Sequence, residues 1–519
     1  MKRAMDISRY FATPAPLVNP VKQLKGLVLG YYQDKEDKAV EKKETDIPTP
    51  PLLLNSTKEI NTQLNNLISQ SLSASLASGK FGEVRMIYAA TDSLPNQIAL
   101  VGLGQINNDK TPEWKVKDNF RRAAALGVKT LKSQGAKQIF VDSMLFPQAV
   151  AEGAQMATYT CDQLKLSAKK VDVDVCLFNQ ASSAVKSEWE NGLVYAQAQN
   201  IARRLAEAPA NICTPTVFVE QAKELFKGMS SVEIEVKEAD FCREKGMNLF
   251  LSVTQGSVEP PKLLVIKYNF SKQGSPLAYV GKGITFDSGG ISIKPSAGMA
   301  AMKADMTGAA TVVSSLHAIA KLNIPTKIVA VIPLCENMPS GCATKPGDVF
   351  VSMNGKSVEV DNTDAEGRLI LADALTYLQE EFKPHRIVDL ATLTGAMAVA
   401  LGHPCCGVFS SSDSLYSDIE ASGLQVGERT WRMPLWEEYK DMLDSTVADL
   451  KNVGGRYGGS CSAAAFLKEF VDCDKVEWAH MDIAGTMDES PHSELYKKGM
   501  MTGRPTRLLI ELAKLNAKQ

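Results

Sequence analysis

Between residues 263 and 391 short aliphatic runs alternate with stretches of helical period, and this alternation narrows the fold more than any other feature of the chain. Strand-like runs lie at 263–268, 277–281, 327–333 and 386–391, and helical periodicity covers 307–322 and 367–380. Such alternation implies a mostly parallel sheet with helices on both faces. In open sheets of this kind ligands bind beyond the carboxyl ends of the strands. Charged residues at those ends are therefore the first place to look for chemistry. Within 349–360, Asn354-Gly355 flanked by alternating residues marks a hairpin that delivers the chain into Asp361.

At 519 residues the chain is too long for one ordinary core, and two domains are expected. Upstream, strand-like runs at 26–30, 84–89, 97–102 and 138–143 and a helical pattern at 120–131 outline a smaller α/β domain without visible chemistry. Residues 34–46 are charged and 47–51 proline-rich, a solvated loop. A helical pattern over 188–207 ends at Ala208-Pro209, after which Thr214 and Pro215 offer an N-cap and a first-turn proline. The chain is accordingly divided into 1–25, a flexible or targeting segment; 26–190, an N-terminal α/β domain; and 191–519, a larger catalytic domain that includes the connecting helix. Its sheet is expected to be mixed but mostly parallel. Lys2, Arg3 and Arg9 among hydroxyl and apolar residues fit a mitochondrial transit segment, Asp6 opposes it, and a plain tail is the other reading.

A formal net charge of -2 argues against broad electrostatic binding of nucleic acid. No run nears the roughly 18 apolar residues that span a bilayer, so no membrane is expected as a partner. The ten cysteines lack C-x-x-C spacing, which favours reduced thiols in an intracellular compartment, cytoplasmic or mitochondrial. The vicinal pair Cys405-Cys406 is the one that invites a redox role; buried small hydrophobes is the plainer reading.

Chemistry concentrates in two segments. Asn362-Thr363-Asp364-Ala365-Glu366-Gly367-Arg368-Leu369 sets two carboxylates and a guanidinium at alternate positions before a helix, and the 280–294 stretch interrupts glycine and apolar residues with Lys282, Asp287 and Lys294. Asp287, Asp305, Asp364 and Glu366 all fall at predicted junctions of one domain. Taken singly, each reads as a helix cap or a loop residue. Together in one cleft they would repel unless cations sat among them. Oxygen-rich ligation suits zinc, manganese, magnesium or cobalt. The five histidines are dispersed and none forms H-E-x-x-H. Lys282 has two readings, a salt bridge to an aspartate or, with its pKa lowered beside two ions, an amine ligand. Lys294 and Arg368 are expected to stay charged, stabilising an oxyanion or holding an anionic cofactor. No G-x-x-x-x-G-K-[ST] accompanies Gly281 and Gly283, so a phosphate loop is not indicated. Phosphoryl transfer at a two-metal site stays open as a rival chemistry.

On these residues the chain resembles the leucyl aminopeptidases, the cytosol-aminopeptidase family of dinuclear metallopeptidases (M17). The unbroken N-T-D-A-E-G-R-L at 362–369 carries the likeness, supported by 280–294, 302–310, 333–346, 391–396 and 503–507. It covers the chain from 191 onward and is weaker before. The resemblance implies metal ligands Lys282, Asp287, Asp305, Asp364 and Glu366, with Asp287 and Glu366 bridging two divalent ions and the ion beside Asp364 the more exchangeable. It implies Lys294 and Arg368 as catalytic residues, the arginine holding a bicarbonate that serves as base. It implies substrate contacts at Met302, Asn362, Thr392, Leu393, Gly395, Ala484 and Met487, and removal of an apolar first residue, leucine foremost, from short peptides. Relatives of this kind form hexamers of two trimers, which makes a homohexamer the expected assembly. A family member that kept the fold but lost turnover is the alternative. Lys303, Thr307 and the Met500-Met501 pair depart from the family pattern without touching a ligand.

Overall fold

The computed structural model describes residues 10–11, 24–33, 51–89, 93–106, 111–166, 172–178, 181–269, 274–488 and 493–518. The 1–25 segment lies outside the described residues apart from 10–11 and 24–25, as does the charged loop at 34–46. The chain divides into two compact units, Met1–Gln197 with Pro491–Lys497, and Ala198–Ser490 with Lys498–Gln519. The divide at 197/198 falls inside the helix Ser183–Glu207, seven residues beyond the 190/191 boundary read from the sequence.

In the first unit a six-stranded sheet runs Val84–Tyr88, Gln97–Gln105, Lys25–Gln33, Gln138–Val141, Asp174–Leu177, with the short Leu52–Leu53 paired beside Lys25–Gln33. The period-2 alternation of a strand sends neighbours to opposite faces. Val28 thus joins a core with Phe120, Val128 and Val150 of the helices Glu113–Ser133 and Pro147–Thr158. Leu27 and Leu29 join another with Ile60, Ile68 and Leu72 of Asn55–Gln63 and Leu67–Ala74.

The second unit is built on a nine-stranded mixed sheet. Its path runs Thr430–Arg432, Cys406–Ser410, Glu477–Asp482, Arg386–Ala391, Leu277–Gly281, Ile328–Asn337, Lys262–Tyr268, Val232–Lys237. The centre is parallel, as the βα alternation predicts; the outer pairings of Lys262–Tyr268, Val232–Lys237 and Cys406–Ser410 are antiparallel. Thr214 caps the helix Pro215–Leu225 by accepting from the Val217 N–H, with Pro215 in the first turn as expected.

One irregularity places the site. The ninth strand, Gly283–Asp287, continues the line of Leu277–Gly281 after a break at Lys282 and pairs with Ile328–Asn337 alone. At the break the Lys282 N–H donates to Leu390 O at 2.9 Å, and its carbonyl accepts from Ala309 N at 2.9 Å. The backbone is satisfied while the two halves of the sheet part. The hairpin Asp348–Val351 with Ser357–Val360 forms as read, and Leu450–Lys451 adds a parallel third strand to it. No helix among the described residues is long and apolar enough to cross a membrane.

Candidate metal centre

The two polar segments meet at the fork. Thr363 joins them: its hydroxyl donates to Gly289 O at 2.7 Å and accepts from Ser292 N at 2.8 Å, while its own N–H donates to Ser292 Oγ at 3.2 Å. Gly289 takes φ +89°, and a Cβ there would lie 2.8 Å from Asp364 Oδ1. Only glycine allows that approach.

Lys282 is 3% exposed, and its Nζ lies 2.8 Å from Asp305 Oδ2 and 2.9 Å from Glu366 Oε1, with a hydrogen bond to Thr392 O at 3.1 Å. Lys294 Nζ lies 2.8 Å from Asp287 Oδ2 and 2.5 Å from Asp364 Oδ1. Oxygens of Asp287, Asp364 and Glu366 come within 4.8 Å of one another. Asp305 also accepts from the Thr392 hydroxyl at 2.6 Å. The five residues read as ligands and the lysine read as catalytic therefore form one contiguous cluster. Arg368 stands beside it, its Nη1 donating to Asn452 O at 2.7 Å and its buried Nε without a hydrogen-bond partner.

Four carboxylates face two ammonium groups here, and the shifts of Asp305, Asp364, Glu366 and both lysines reflect the crowding. Burial, reinforced by the charge of Asp287, pushes the Glu366 carboxyl above the usual range even though Lys282 pulls it down. Burial likewise raises Asp305 and Asp364 against the pull of Lys282 and Lys294. Burial disfavours both ammoniums, yet neighbouring carboxylates, chiefly Asp305 and Glu366 for Lys282 and Asp287 for Lys294, lift them above the ordinary lysine value. Asp305, Asp364 and Glu366, chiefly through burial, and both lysines, against their burial, are thus driven toward holding protons, and the lysines' shift is the response to surplus negative charge. Burial lowers Arg368 to about 10, with Glu366 and Asp482 opposing. A dication placed among these oxygens would remove the surplus, so the donor set fits divalent metal.

Of the residues read as substrate contacts, Thr392, Asn362 and Met302 bond directly to residues of this cluster. Thr392 and Leu393 follow the strand Arg386–Ala391; Asn362 turns its own loop, its side-chain oxygen accepting from Asp364 N at 2.9 Å. Met302 accepts from Asp305 N at 3.3 Å. Gly395 opens the helix Gly395–Leu401 and is exposed, with no heavy atom within 4 Å of where a Cβ would stand. Leu393 N and Ala484 N both donate to Asp482 Oδ1, at 3.3 and 3.2 Å, and Met487 O accepts from Thr502 N at 2.9 Å.

Sequence reasoning passed over three residues that organise the centre. Asn337 donates to Asp287 Oδ1 at 2.8 Å, to Thr363 O at 3.0 Å and to Glu366 Oε2 at 3.4 Å. Asp482, fully buried, ties the 392–394 turn to Ala484 and accepts from the Thr394 hydroxyl at 2.6 Å. Gly367 packs its α-carbon against the Lys282 side chain, where a Cβ would sit 2.4 Å from Cε. The one sequence signal for Asn337 was its place in the 333–346 stretch that supports the family likeness.

A parallel-centred sheet that forks around lysine and carboxylates defines a metal-dependent hydrolase. The chain belongs to the cytosol aminopeptidase family, matching its catalytic domain over residues 200–510 and its N-terminal domain over 43–168. It is 44% identical to a Xenopus tropicalis cytosol aminopeptidase over 97% of this chain and 95% of that one. It is 45% identical to the Homo sapiens cytosol aminopeptidase over 94% and 92%. Among solved structures it resembles a point mutant of tomato leucine aminopeptidase (TM-score 0.79, 29% identity, 96% and 95% covered). It also resembles the bottromycin maturation enzyme BotP in complex with Mn (TM-score 0.78, 30% identity, 95% and 100% covered). The chain is an enzyme of the metallopeptidase class that this family comprises.

Proposed function

We propose that the protein removes the first residue, leucine or another apolar one, from short peptides, using two divalent metal ions per subunit. The observation that carries this reading is the convergence of Lys282, Asp287, Asp305, Asp364 and Glu366 with a carboxylate surplus that two dications would offset. Asp287 and Glu366 would stand between the ions, Lys282 and Asp305 would hold the tighter one, and Asp364 the exchangeable one. Zinc or manganese suits both positions, with magnesium or cobalt as substitutes in the second. Bound ions supply Lewis acidity toward the scissile carbonyl and a lowered pKa for water.

The chain's own groups divide the remaining work. Lys294 donates to the oxygen on which negative charge develops. Arg368, with Nη1 anchored on Asn452 O and Nε free of a partner, holds a small anion, bicarbonate, within reach as a base. Met302, Thr392, Gly395, Ala484 and Met487 shape the first-residue pocket, the methionines adapting to several apolar side chains. Asn362 and Leu393 orient the peptide beside them. The names of the relatives support the cytosol as the proposed location. The family resemblance alone suggests a homohexamer of two trimers as the assembly, which sedimentation showing only monomer would exclude.

The deciding assay sets a leucine anilide against a phosphate ester, with and without chelator and added manganese. Anilide cleavage that chelator abolishes and manganese restores is expected. Metal-dependent ester cleavage without anilide cleavage would make the protein a phosphoryl-transfer enzyme instead.

A further inference from the structure

We propose that Asn452 is a positioning residue: its side-chain amide clamps the loop that carries Asp364 and Glu366, and its carbonyl aims Arg368. The inference rests on the aminopeptidase reading above. Asn452 is fully buried and follows the strand Leu450–Lys451, which pairs in parallel with Ser357–Val360. Its backbone N–H donates to Glu359 O at 2.9 Å and so prolongs that ladder by one rung. The next rung is made by the side chain. Asn452 Oδ1 accepts from Asn362 N at 3.2 Å and Nδ2 donates to Asn362 O at 2.7 Å, as a peptide unit would. The same Nδ2 reaches Ala365 O at 3.3 Å, so both ends of the 362–365 turn are held by one amide.

The chemistry of the group decides which residue can do this. A primary amide offers a donor and an acceptor side by side; a carboxylate offers acceptors alone, and an aliphatic chain neither. The loop needs such a hold. Asp364 and Glu366 are carried into a cluster of like charge, and the turn's own bonds, Asp364 N to Asn362 Oδ1 at 2.9 Å and Ala365 N to Asn362 O at 3.1 Å, close the turn without fixing it to the rest of the domain. Arg368 depends on the same residue, since Asn452 O is the acceptor of its Nη1. One asparagine, outside the charged motif by more than eighty positions, therefore ties two carboxylates and the guanidinium into a fixed relation.

The test uses the full-length protein stripped of metal by chelator. Manganese affinity is measured by competition with a chelating dye, alongside kcat and KM for a leucine anilide and thermal melting of the metal-free form. Asn452→Asp and Asn452→Ala, which release the turn carrying two ligands though they bond to neither, are expected to bind manganese roughly 10-fold more weakly, the low end of the cost of losing groups that orient metal ligands, and to lose kcat more than KM. Ser445→Ala is the control. It removes a 2.6 Å bond to Glu359 Oε2 in the same small sheet without touching the 362–368 segment. It is expected to lower the melting temperature while leaving manganese affinity unchanged. Unchanged affinity and kcat in both Asn452 variants would overturn the clamp, as would an equal loss of affinity in Ser445→Ala. Failure of both Asn452 variants to fold would also overturn it, making Asn452 a folding residue. A wild-type protein that binds manganese yet leaves the anilide intact would strike the aminopeptidase reading and leave the clamp standing.

Discussion

Gly367→Ala adds one methyl group and should cost the protein its metal site. Gly367 opens the helix Gly367–Phe382, where alanine is ordinarily the better residue by up to about 1 kcal/mol. The packing opposes that gain. A Cβ at 367 would stand 2.4 Å from Lys282 Cε, 2.8 Å from Cδ and 2.7 Å from Nζ, against 3.4 Å for ordinary contact. The lysine must therefore retreat by about 1 Å. Its Nζ is held at 2.8 Å from Asp305, 2.9 Å from Glu366 and 3.1 Å from Thr392 O, and a shift of that size carries those contacts beyond hydrogen-bonding range. Losing one or two charge-assisted bonds of roughly 1.5–3 kcal/mol each outweighs the helical gain, leaving a net loss of about 0.5–5 kcal/mol. Thermal melting of the metal-free protein, with manganese titration and anilide turnover, reads the outcome: a lower melting temperature, weaker metal binding and lost activity. A variant as stable as the wild type, with full metal content and turnover, would refute the steric argument and the assignment of Lys282 with it.

Lys294→Ala should keep its metal and lose turnover by roughly 10²–10³-fold, because an oxyanion donor is gone while the carboxylates it bridges are freed for the ions. Metal analysis showing an empty site would contradict that role. His317 supplies a pH dependence away from the centre: burial first, then Lys321, holds its pKa down at about 4. Between that value and about 6.5 the unfolded chain binds the extra proton, so the contribution is complete above about 6.5 and is lost as pH falls toward 4. The amount is about 3 kcal/mol. The wild-type minus His317→Gln difference in denaturant midpoint should fall as pH drops from about 6.5 toward 4, and parallel curves would exclude it.

Much of the fold could be read from residues alone because its signals are local. The strands Leu277–Gly281 and Arg386–Ala391 end where the aliphatic runs end, the Asn354-Gly355 turn closes its hairpin, and Thr214 caps its helix. The stop at Gly281 was legible, but the strand that resumes at Gly283 was not, because the division at Lys282 depends on Leu390 and Ala309 accepting and donating from distant segments. The antiparallel edge strand Val232–Lys237 was missed although its alternation of Val, Ile and Val with Glu, Glu and Lys is a strand pattern legible from the residues alone. In the centre, charge made Asp287, Asp364, Glu366 and Lys282 conspicuous against apolar surroundings. Asn337 and Asn452 carry none, and a single asparagine beside a strand reads as a turn residue. Their meaning lies in partners 26 to 90 positions away.

The fork in the large sheet has a consequence for how this gene can change. Lys282 lies in neither half of the sheet but at their parting, fixed by five strand positions before it and five more, ending at Asp287, after it. Deleting or inserting one codon anywhere in that run would carry the ammonium about 3.3 Å along the strand and turn it to the opposite face. Point substitutions that preserve size can drift through the same stretch without moving it. The run is therefore open to exchange of letters and closed to change of length, and its spacing is the part of the message that must be copied intact.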